Sequence, residues 1–317
     1  MEWYQPDDRW EIWGINSKET FVEKFVVPGK FHDKVPKDVV DAFKTVTYLM
    51  AHAYFYYPIY DEAMSKALLI MEMAVKLKAK DLGISLKKPA NKKGVVYDKK
   101  LFKIIEEVCE HPHLVFLKPE FDRAKKIRNR KMHPKSHSVY GALGFTNGNT
   151  MLFINIINKL FLEKNRLLHI LNRQEELKKE IQRFRDGRYI LTFNELKILV
   201  WKIYDIKYFK YQDKEFFYIY VGVVSQNIEQ DIVQNRINPL VISLRELTIS
   251  ETGFKGLDVD GCPVKLTKNI DLRNILSYQK YHTAKLQLPF DNLRFYLEQN
   301  ERLVLWHYEE LMYEHCW

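Results

Sequence analysis

The sequence predicts an α+β protein, in which an all-α N-terminal helical bundle is followed by a β-rich C-terminal domain. Apolar residues recur at helical spacing as far as Gly187, and the segments beyond it are rich in β-branched and aromatic residues. At 317 residues the chain is long enough for two domains with separate cores. We divide it into an N-terminal extension (residues 1–35), a helical domain that includes a long connecting helix (36–187) and a C-terminal domain (188–317).

The composition indicates a globular protein without disulfide bonds. Hydrophobic residues make up 46% of the chain and charged residues 29%, and 19 Tyr with 19 Phe argue against intrinsic disorder. The start of the sequence lacks the pattern of a secretory signal, and no apolar run reaches membrane-spanning length, so we expect a cytoplasmic protein. Cys109, Cys262 and Cys316 are widely separated, which argues against a disulfide framework or a cysteine-based zinc site. We expect reduced thiols and neither a metal nor a cofactor.

Apolar positions at helical spacing predict four helices ahead of Pro134. The first begins at Pro36, a residue favoured in the first helical turn, and Pro58 is expected to end or kink it. The second is apolar nearly all round, which predicts a central position. The fourth is expected to stop at His133, because the residue before a proline is biased out of the helical region. The predicted helices occupy residues 36–57, 64–77, 101–108 and 118–133.

A long helical pattern follows a glycine-containing loop at residues 136–149. It runs from residue 149 to Phe184, and the pattern allows a break near residues 163–165. Asp186 and Gly187 then offer a natural glycine cap. This helix is expected to connect the two domains.

Beyond Gly187 the sequence pattern is typical of strands. Residues 206–211 and 216–224 flank four polar residues and predict a β-hairpin. Residues 193–204 fit either a strand or a helix. Further strands are predicted at residues 240–248, 264–267 and 286–293, and a closing helix at residues 302–315.

Positive charge is concentrated in one third of the chain. Residues 76–103 carry ten Lys against two Asp, a net charge of +8, and residues 117–135 have a net charge of +6. The chain as a whole carries +9, so the remainder is negative. Such a concentrated field is what a phosphate-binding surface requires, although lysine-rich loops that only keep a protein soluble give the same charge.

The functional prediction depends on residues 128–133, which have the sequence RNRKMH. On a regular helix, Arg128 shares one face with the apolar residues Leu117, Phe121 and Ala124. A guanidinium on an apolar face is costly unless it is paired or faces a cleft or a partner. This position therefore favours a functional site over a solvated surface.

Asn129 and His133 are four residues apart and share a neighbouring face of the same helix. The C-terminal end of a helix favours the charged form of His133, whereas Arg130 and Lys131 oppose it. These opposing effects predict an imidazole that titrates near neutral pH. Such a group suits general acid or base catalysis.

The motif and its helical surroundings resemble the HEPN domain, a helical bundle whose signature is an Arg, four to six residues and a His, commonly with a polar residue directly after the Arg. Arg128, Asn129 and His133 fit this signature, and the predicted helices at residues 36–174 fit the bundle. In active members the motif is metal-independent and cleaves RNA through the ribose 2'-hydroxyl, leaving a 2',3'-cyclic phosphate and a 5'-hydroxyl. The resemblance implies that His133 is the acid-base group, that Arg128 stabilises the phosphorane and that Asn129 orients one of them.

The resemblance also implies binding partners and a biological role. One good copy of the motif implies a homodimer through the helical bundle, in which two motifs line one cleft. Glu72, in the central helix, either hydrogen-bonds the motif, as a polar residue does in some HEPN families, or faces solvent. The implied role is a toxin or abortive-infection effector acting on RNA, under an antitoxin or a regulatory ligand, with the C-terminal domain controlling it. The expected substrate-binding residues are Lys125, Lys126, Arg130, Lys131 and Glu72.

Two other functions within the same family stay open. The first is a non-catalytic HEPN module that recognises RNA or a nucleotide and acts as a sensor or regulator. The second is a HEPN partner of a nucleotidyltransferase, which adenylylation silences. Such partners tend to carry a Tyr two residues after the motif His, whereas Lys135 occupies that position here. We therefore rank the partner hypothesis last.

Two further matches to the bare Arg and His pattern are interpreted as chance. They join Arg302 to His307 and Arg130 to His137, and neither has Asn after the Arg. The preceding helices, the basic helix and Pro134 support only the match at Arg128.

Other candidate sites are weaker. Cys109, His111 and His113 lie close together in sequence but lack a fourth ligand, so a loop is favoured over a metal site. Lysines alternate with aromatic residues at positions 204–214, a pattern that fits stacking on bases. The two alternating faces of a strand give the same pattern, and we favour that interpretation.

Overall fold

The computed structural model contains both helices and a β-sheet, which confirms the α+β class. The chain divides into two compact units, Met1–Leu167 with Trp317, and Leu168–Cys316. Side chains at 130–132 and 143–144 are not described. The structure describes residues 4–132, 141–184, 187–234, 236 and 239–317.

Helices make up most of the described part of the first unit. They are α1 (Lys18–Phe25), α2 (Lys37–His52), α3 (Ile59–Asp81), α4 (Leu101–Cys109), α5 (Lys118–Met132) and α6 (Thr146–Phe161), followed by α7 (Lys164–Ile181), which contains the division between the units. Helix α3 packs against α2, α4, α5 and α6, so the central position predicted from its apolar character is confirmed. The long predicted helix is interrupted between α6 and α7, at the break that its pattern allowed.

The N-terminal segment contributes to the core of the first unit. Trp10, in a 3-10 helix at Asp8–Trp13, is 1% exposed. Its ring centroid lies 4.6 Å from those of Phe21 and Tyr57, and its indole N–H donates to the Ala53 carbonyl at 2.8 Å. Burial of this large ring against α1 and the end of α2 fixes the segment on the helices.

A buried ion pair connects α5 to α6. Lys159 Nζ on α6 lies 2.7 Å from Glu120 Oε1 on α5, and the lysine side chain is only 5% exposed. A charge this deeply buried requires a paired carboxylate, because an isolated ammonium in the core would lose its hydration. The pair therefore helps to fix the N-terminal end of α5 against α6.

A six-stranded antiparallel barrel forms the sheet of the second unit. The strands are β1 (Tyr189–Phe193), β2 (Leu196–Tyr211), β3 (Lys214–Val223), β4 (Leu240–Ile249), β5 (Gly253–Asp258) and β6 (Pro263–Lys268). Each strand pairs with the next along the chain, and β1 pairs with β6 to close the barrel. Each of the six strands therefore has a neighbouring strand on both sides, although β2 pairs with β1 only over Leu196–Val200.

Tight turns connect the first strands. Asn194 follows β1 with a φ of 51°, and Gln212 lies between β2 and β3 with a φ of 54°. Positive φ is tolerated by Asn and is uncommon for Gln. Residues 193–204, which fit either helix or strand in the sequence, belong to β1, this first turn and β2, and the predicted β2–β3 hairpin is confirmed.

Close approach of two backbones requires a glycine at the start of β5. A Cβ at Gly253 would overlap the carbonyl oxygen of Leu266 on β6. The last pairing of the barrel therefore depends on the absence of a side chain at this position.

Besides the larger part of α7, three helices are described in the second unit: α8 (Ile228–Val233), α9 (Leu272–Gln287) and α10 (Phe290–His315). Strand β3 is buried on both faces along most of its length, because α10 covers its outer face. The Tyr218 hydroxyl on β3 donates to the Leu311 carbonyl on α10 at 3.2 Å.

The prediction of a strand at residues 286–293 is wrong. These residues form the end of α9, a break at Pro289 and the start of α10, and α10 begins well before the closing helix predicted at 302–315. Short apolar alternation around a proline does not distinguish a strand from two helix ends. Among the described residues, no helix combines the length and apolar character needed to cross a membrane.

The fold predicts a stability that depends on pH through His32. This side chain is 6% exposed, and its Nε2 lies 2.8 Å from the Asn158 carbonyl oxygen. Burial lowers the pKa of His32 below its ordinary value of 6.5. The unfolded chain therefore binds a proton at a higher pH than the folded chain does, and the free energy of unfolding falls as the pH drops below 6.5.

Urea unfolding of wild type and His32→Gln at pH 7.5 and pH 5.5 measures this effect. We expect a smaller loss of stability on acidification in the variant. Burial also lowers the pKa of His113, so the variant retains part of the dependence. Equal losses in both proteins would contradict the assignment.

Candidate active site

The basic helix α5 lies with its apolar face against the bundle. Phe121, Ala124 and Ile127 are buried, as is Leu117 just before the helix. The stripe predicted from the sequence is therefore confirmed as far as Ala124. Arg128 continues this stripe but remains one-third exposed, so its guanidinium lies where the buried face meets the surface.

Glu72 on α3 is the partner of Arg128. The Arg128 Nε donates to Glu72 Oε1 at 2.6 Å, and the glutamate side chain is only 12% exposed. A carboxylate with so little exposure requires a cation, since burial without a partner costs several kcal/mol. Of the two placements that the sequence left open for Glu72, the structure has the one against the motif.

The contact through Nε fixes the orientation of the guanidinium. A guanidinium carries four further N–H bonds on its two Nη atoms, arranged to bind a carboxylate or phosphate in a bidentate manner. Holding Arg128 at its Nε by a buried carboxylate therefore orients a planar anion-binding group before any ligand arrives.

A cleft of about 280 Å³ opens beside Arg128, between α3, α4 and α5. Its polar side chains are Lys100, Lys125, Arg128 and Asn129, of which Lys100, Lys125 and Asn129 are exposed. Apolar side chains make up the rest of the lining, namely Leu68, Met71, Leu101, Phe102, Ile105, Phe121 and Ala124. An apolar concavity with a few polar groups at its edge is the usual form of a ligand site.

Phe102 brings an aromatic ring to this cleft. The residue is 38% exposed, and the ammonium groups of Lys103 and Lys125 lie 5.3 and 5.6 Å from its ring centroid. The sequence analysis did not predict Phe102 and Lys100 as residues of the site. The available signal was an aromatic residue within a lysine-rich stretch.

The lysine-rich connection before α4 is an ordered hairpin. Backbone hydrogen bonds of 2.8 Å join Lys99 N to Leu86 O and Lys88 N to Tyr97 O, and the chain turns at Gly94, which has a φ of 74°. Exposed lysines project from this hairpin and from the residue after it, at positions 87, 88, 92, 93 and 100. Because the hairpin leads directly into Lys100, these charges continue into the rim of the cleft.

The anchor of the hairpin is Lys99. Its ammonium lies 2.6 Å from Glu107 Oε2 on α4, and its side chain is 16% exposed. This ion pair ties the C-terminal strand of the hairpin to the helix that carries Phe102.

The structure brings together four of the predicted site residues. Arg128, Asn129 and Lys125 line the cleft, and Glu72 contacts Arg128. Lys126 is exposed on α5 outside the cleft lining. His133 lies outside the described residues, as do the side chains of Arg130 and Lys131.

Cys109, at the end of α4, and the two histidines that follow it are not grouped as a metal site. The rings of His111 and His113 lie 5.9 Å apart, and burial raises the pKa of the Cys109 thiol to about 11. Within the described part of the chain, no three His, Cys, Asp or Glu side chains are placed to hold one ion.

The aromatic residues on β2 and β3 pack rather than offer a stacking surface. Tyr208 and Phe209 are each 3% exposed, and the Tyr208 hydroxyl donates to Glu215 at 3.0 Å. Lys210 also pairs with Glu215, at 2.8 Å. Tyr208 and Phe209 lie on opposite faces of β2 and both are buried, so neither ring is exposed for stacking on a base.

Comparison with protein-family models, with curated protein sequences and with solved structures finds no match to this chain.

The Arg128–Glu72 contact predicts unequal effects of two substitutions at Glu72. Glu72→Gln keeps an oxygen that accepts from Arg128 Nε, whereas Glu72→Leu removes it and leaves a partly buried guanidinium without this acceptor. We expect Glu72→Leu to lower the free energy of unfolding by about 1–3 kcal/mol, and Glu72→Gln to lower it less. Chemical denaturation measures both values. Equal stabilities of the two variants would show that the contact contributes little.

Proposed function

We propose that this protein is a metal-independent endoribonuclease of the HEPN class, in which Arg128, Asn129 and His133 act on one phosphodiester. The observation that carries the proposal is the guanidinium of Arg128, oriented by Glu72 at 2.6 Å on the rim of a cleft lined by other cations. The sequence motif that supplies His133 starts from this arginine.

Arg128 is proposed to stabilise the transition state. Attack of the ribose 2'-hydroxyl on phosphorus produces a phosphorane with more negative charge on its oxygens than the ground state has. A cation that is already oriented stabilises this charge without reorganising during the reaction. The buried carboxylate of Glu72 supports this role, because it engages Nε and not the two Nη groups with which a guanidinium binds an anion.

His133 is proposed to transfer the proton at the reacting oxygens. The reaction removes a proton from the 2'-hydroxyl and adds one to the departing 5'-oxygen, which gives a 2',3'-cyclic phosphate and a 5'-hydroxyl. A single imidazole can perform only one of these two proton transfers in one cleavage reaction. A homodimer in which two motifs line one cleft would supply a second His133 for the other transfer, and we propose that assembly.

The distribution of charge supports an RNA substrate. Exposed lysines are concentrated in the hairpin at residues 86–99, which leads into Lys100 of the cleft lining, and at Lys125 and Lys126 on α5. Phosphates along a single strand bind such a surface through counterion release, which is independent of sequence. In a cell the activity would suit a toxin or an abortive-infection effector directed by the barrel domain.

The second candidate function is a non-catalytic module that binds RNA or a nucleotide. The apolar cleft beside three cations favours it, because such a site binds a base and a phosphate whether or not cleavage follows. Loss of His133 separates the candidates: a nuclease loses turnover, and a binding module retains its only activity.

The test is incubation of purified wild type, His133→Ala and His307→Ala with total RNA in EDTA, followed by mapping of the cleaved ends. We expect cyclic-phosphate ends from wild type and from His307→Ala, and none from His133→Ala. His307 is the matched control, because it closes the chance match that starts at Arg302. Cleavage by all three proteins would eliminate His133 as the acid-base group, and cleavage by none would favour the binding module.

A further inference from the structure

We propose that the cleft beside Arg128 is a nucleobase subsite that favours the keto bases uracil and guanine over the amino bases cytosine and adenine. The inference rests on the proposed function, because it assumes that RNA is the ligand of this site. It adds a preference for one class of base, which the motif itself does not contain.

The lining of the cleft matches the two chemical surfaces of a base. Leu68, Met71 and Phe121 are buried and supply an apolar interior, and the charged groups lie at the rim. A base is flat, with apolar faces and a polar edge that carries its hydrogen-bonding groups. A cleft of about 280 Å³ that is apolar inside and cationic at the rim can therefore cover the faces and contact the edge.

Phe102 is the stacking surface of this subsite. Its ring lines the cleft and remains 38% exposed, so it is accessible from solvent. Stacking of a base on an aromatic side chain is a common source of affinity for single-stranded RNA. The ammonium groups of Lys103 and Lys125 lie over this ring, 5.3 and 5.6 Å from its centroid, so cations border the surface on which a base would stack.

The polar groups of the lining determine the preference among bases. Lys100, Lys125 and Arg128 only donate hydrogen bonds, and Asn129 is the one lining side chain among the described residues that both donates and accepts. Arg128 is assigned to the reacting phosphate, which leaves the two lysines for the edge of the base.

Uracil presents an oxygen at C4, and guanine presents O6 and N7, all of which accept from an ammonium. Cytosine and adenine present an amino group at the corresponding position, and that group would face a donor. Each lysine can therefore donate a hydrogen bond to a keto oxygen but not to an amino group at the same position, which favours uracil and guanine.

Binding of non-cleavable RNA tests the subsite separately from catalysis. The probes are fluorescein-labelled pentamers with 2'-fluoro sugars, which lack the attacking hydroxyl: oligouridine, oligocytidine and an abasic strand with the same backbone. The proteins are wild type, Phe102→Leu and the control Tyr48→Leu, which removes a 70% exposed aromatic ring on α2. Fluorescence anisotropy in EDTA gives the dissociation constants.

For wild type we expect oligouridine to bind about 5-fold to 100-fold more tightly than the abasic strand, the range typical of one stacked base. Oligouridine should also bind more tightly than oligocytidine, which has the same size and differs in its donor and acceptor edge. Phe102→Leu should weaken oligouridine binding toward the abasic value, and Tyr48→Leu should not change it.

Three results would overturn the inference. They are equal affinity for oligouridine and the abasic strand, tighter binding of oligocytidine, and a Phe102→Leu variant that binds like Tyr48→Leu. Failure of wild type to bind any pentamer would also overturn it.

Cleavage of ordinary RNA is measured in parallel, so the two proposals fail separately. Base-dependent binding without cleavage would overturn the proposed catalysis and support the subsite. Cleavage without base-dependent binding would overturn the subsite and support the proposed catalysis.

Discussion

The contact between Arg128 and Glu72 is the constraint on which the site depends. Glu72 lies on α3, the helix against which α2, α4, α5 and α6 pack, and its carboxylate is almost completely buried. A buried carboxylate needs a cation, and α5 supplies one only when its apolar stripe lies against the bundle. Packing of α5 against α3 and orientation of the Arg128 guanidinium by Glu72 therefore depend on each other.

The cleft follows from the same arrangement. Phe121 and Ala124 belong to the buried face of α5 and also line the cleft. Phe102 on α4 contributes to the same lining. Lys99 holds the basic hairpin to α4 through Glu107, so the lysines of the hairpin lead into the same rim. The site thus combines a buried ion pair, an apolar interior and an exposed cationic surface.

Local patterns in the sequence were sufficient to predict much of the first unit. The spacing of Leu117, Phe121 and Ala124 predicted the buried face of α5 and placed Arg128 on it, whereas the structure has the Arg128 side chain one-third exposed at the edge of that face. The partner of Arg128 is 56 residues away in the chain, and the sequence left the placement of Glu72 open. Phe102 was not predicted, because a cleft depends on how three helices pack and not on any one of them.

The barrel was predicted less completely for a related reason. Alternation identified most of its strands, but closure through β1 and β6 is a contact between distant parts of the chain that alternation cannot specify. A strand was wrongly predicted at residues 286–293, where Pro289 separates α9 from α10. Leu286 and Phe290 are exposed apolar residues at the two helix ends, and their spacing resembles that of a strand.

The most direct test of the central claim compares Arg128→Lys with wild type in single-turnover cleavage of RNA and in RNA affinity. Lysine keeps the positive charge but loses the Nε contact to Glu72 and the bidentate geometry. If Arg128 stabilises the transition state, the cleavage rate falls by about 100-fold or more, while the dissociation constant for RNA changes by less than about 3-fold. A rate that is unchanged, or one that falls only in parallel with affinity, would contradict the account.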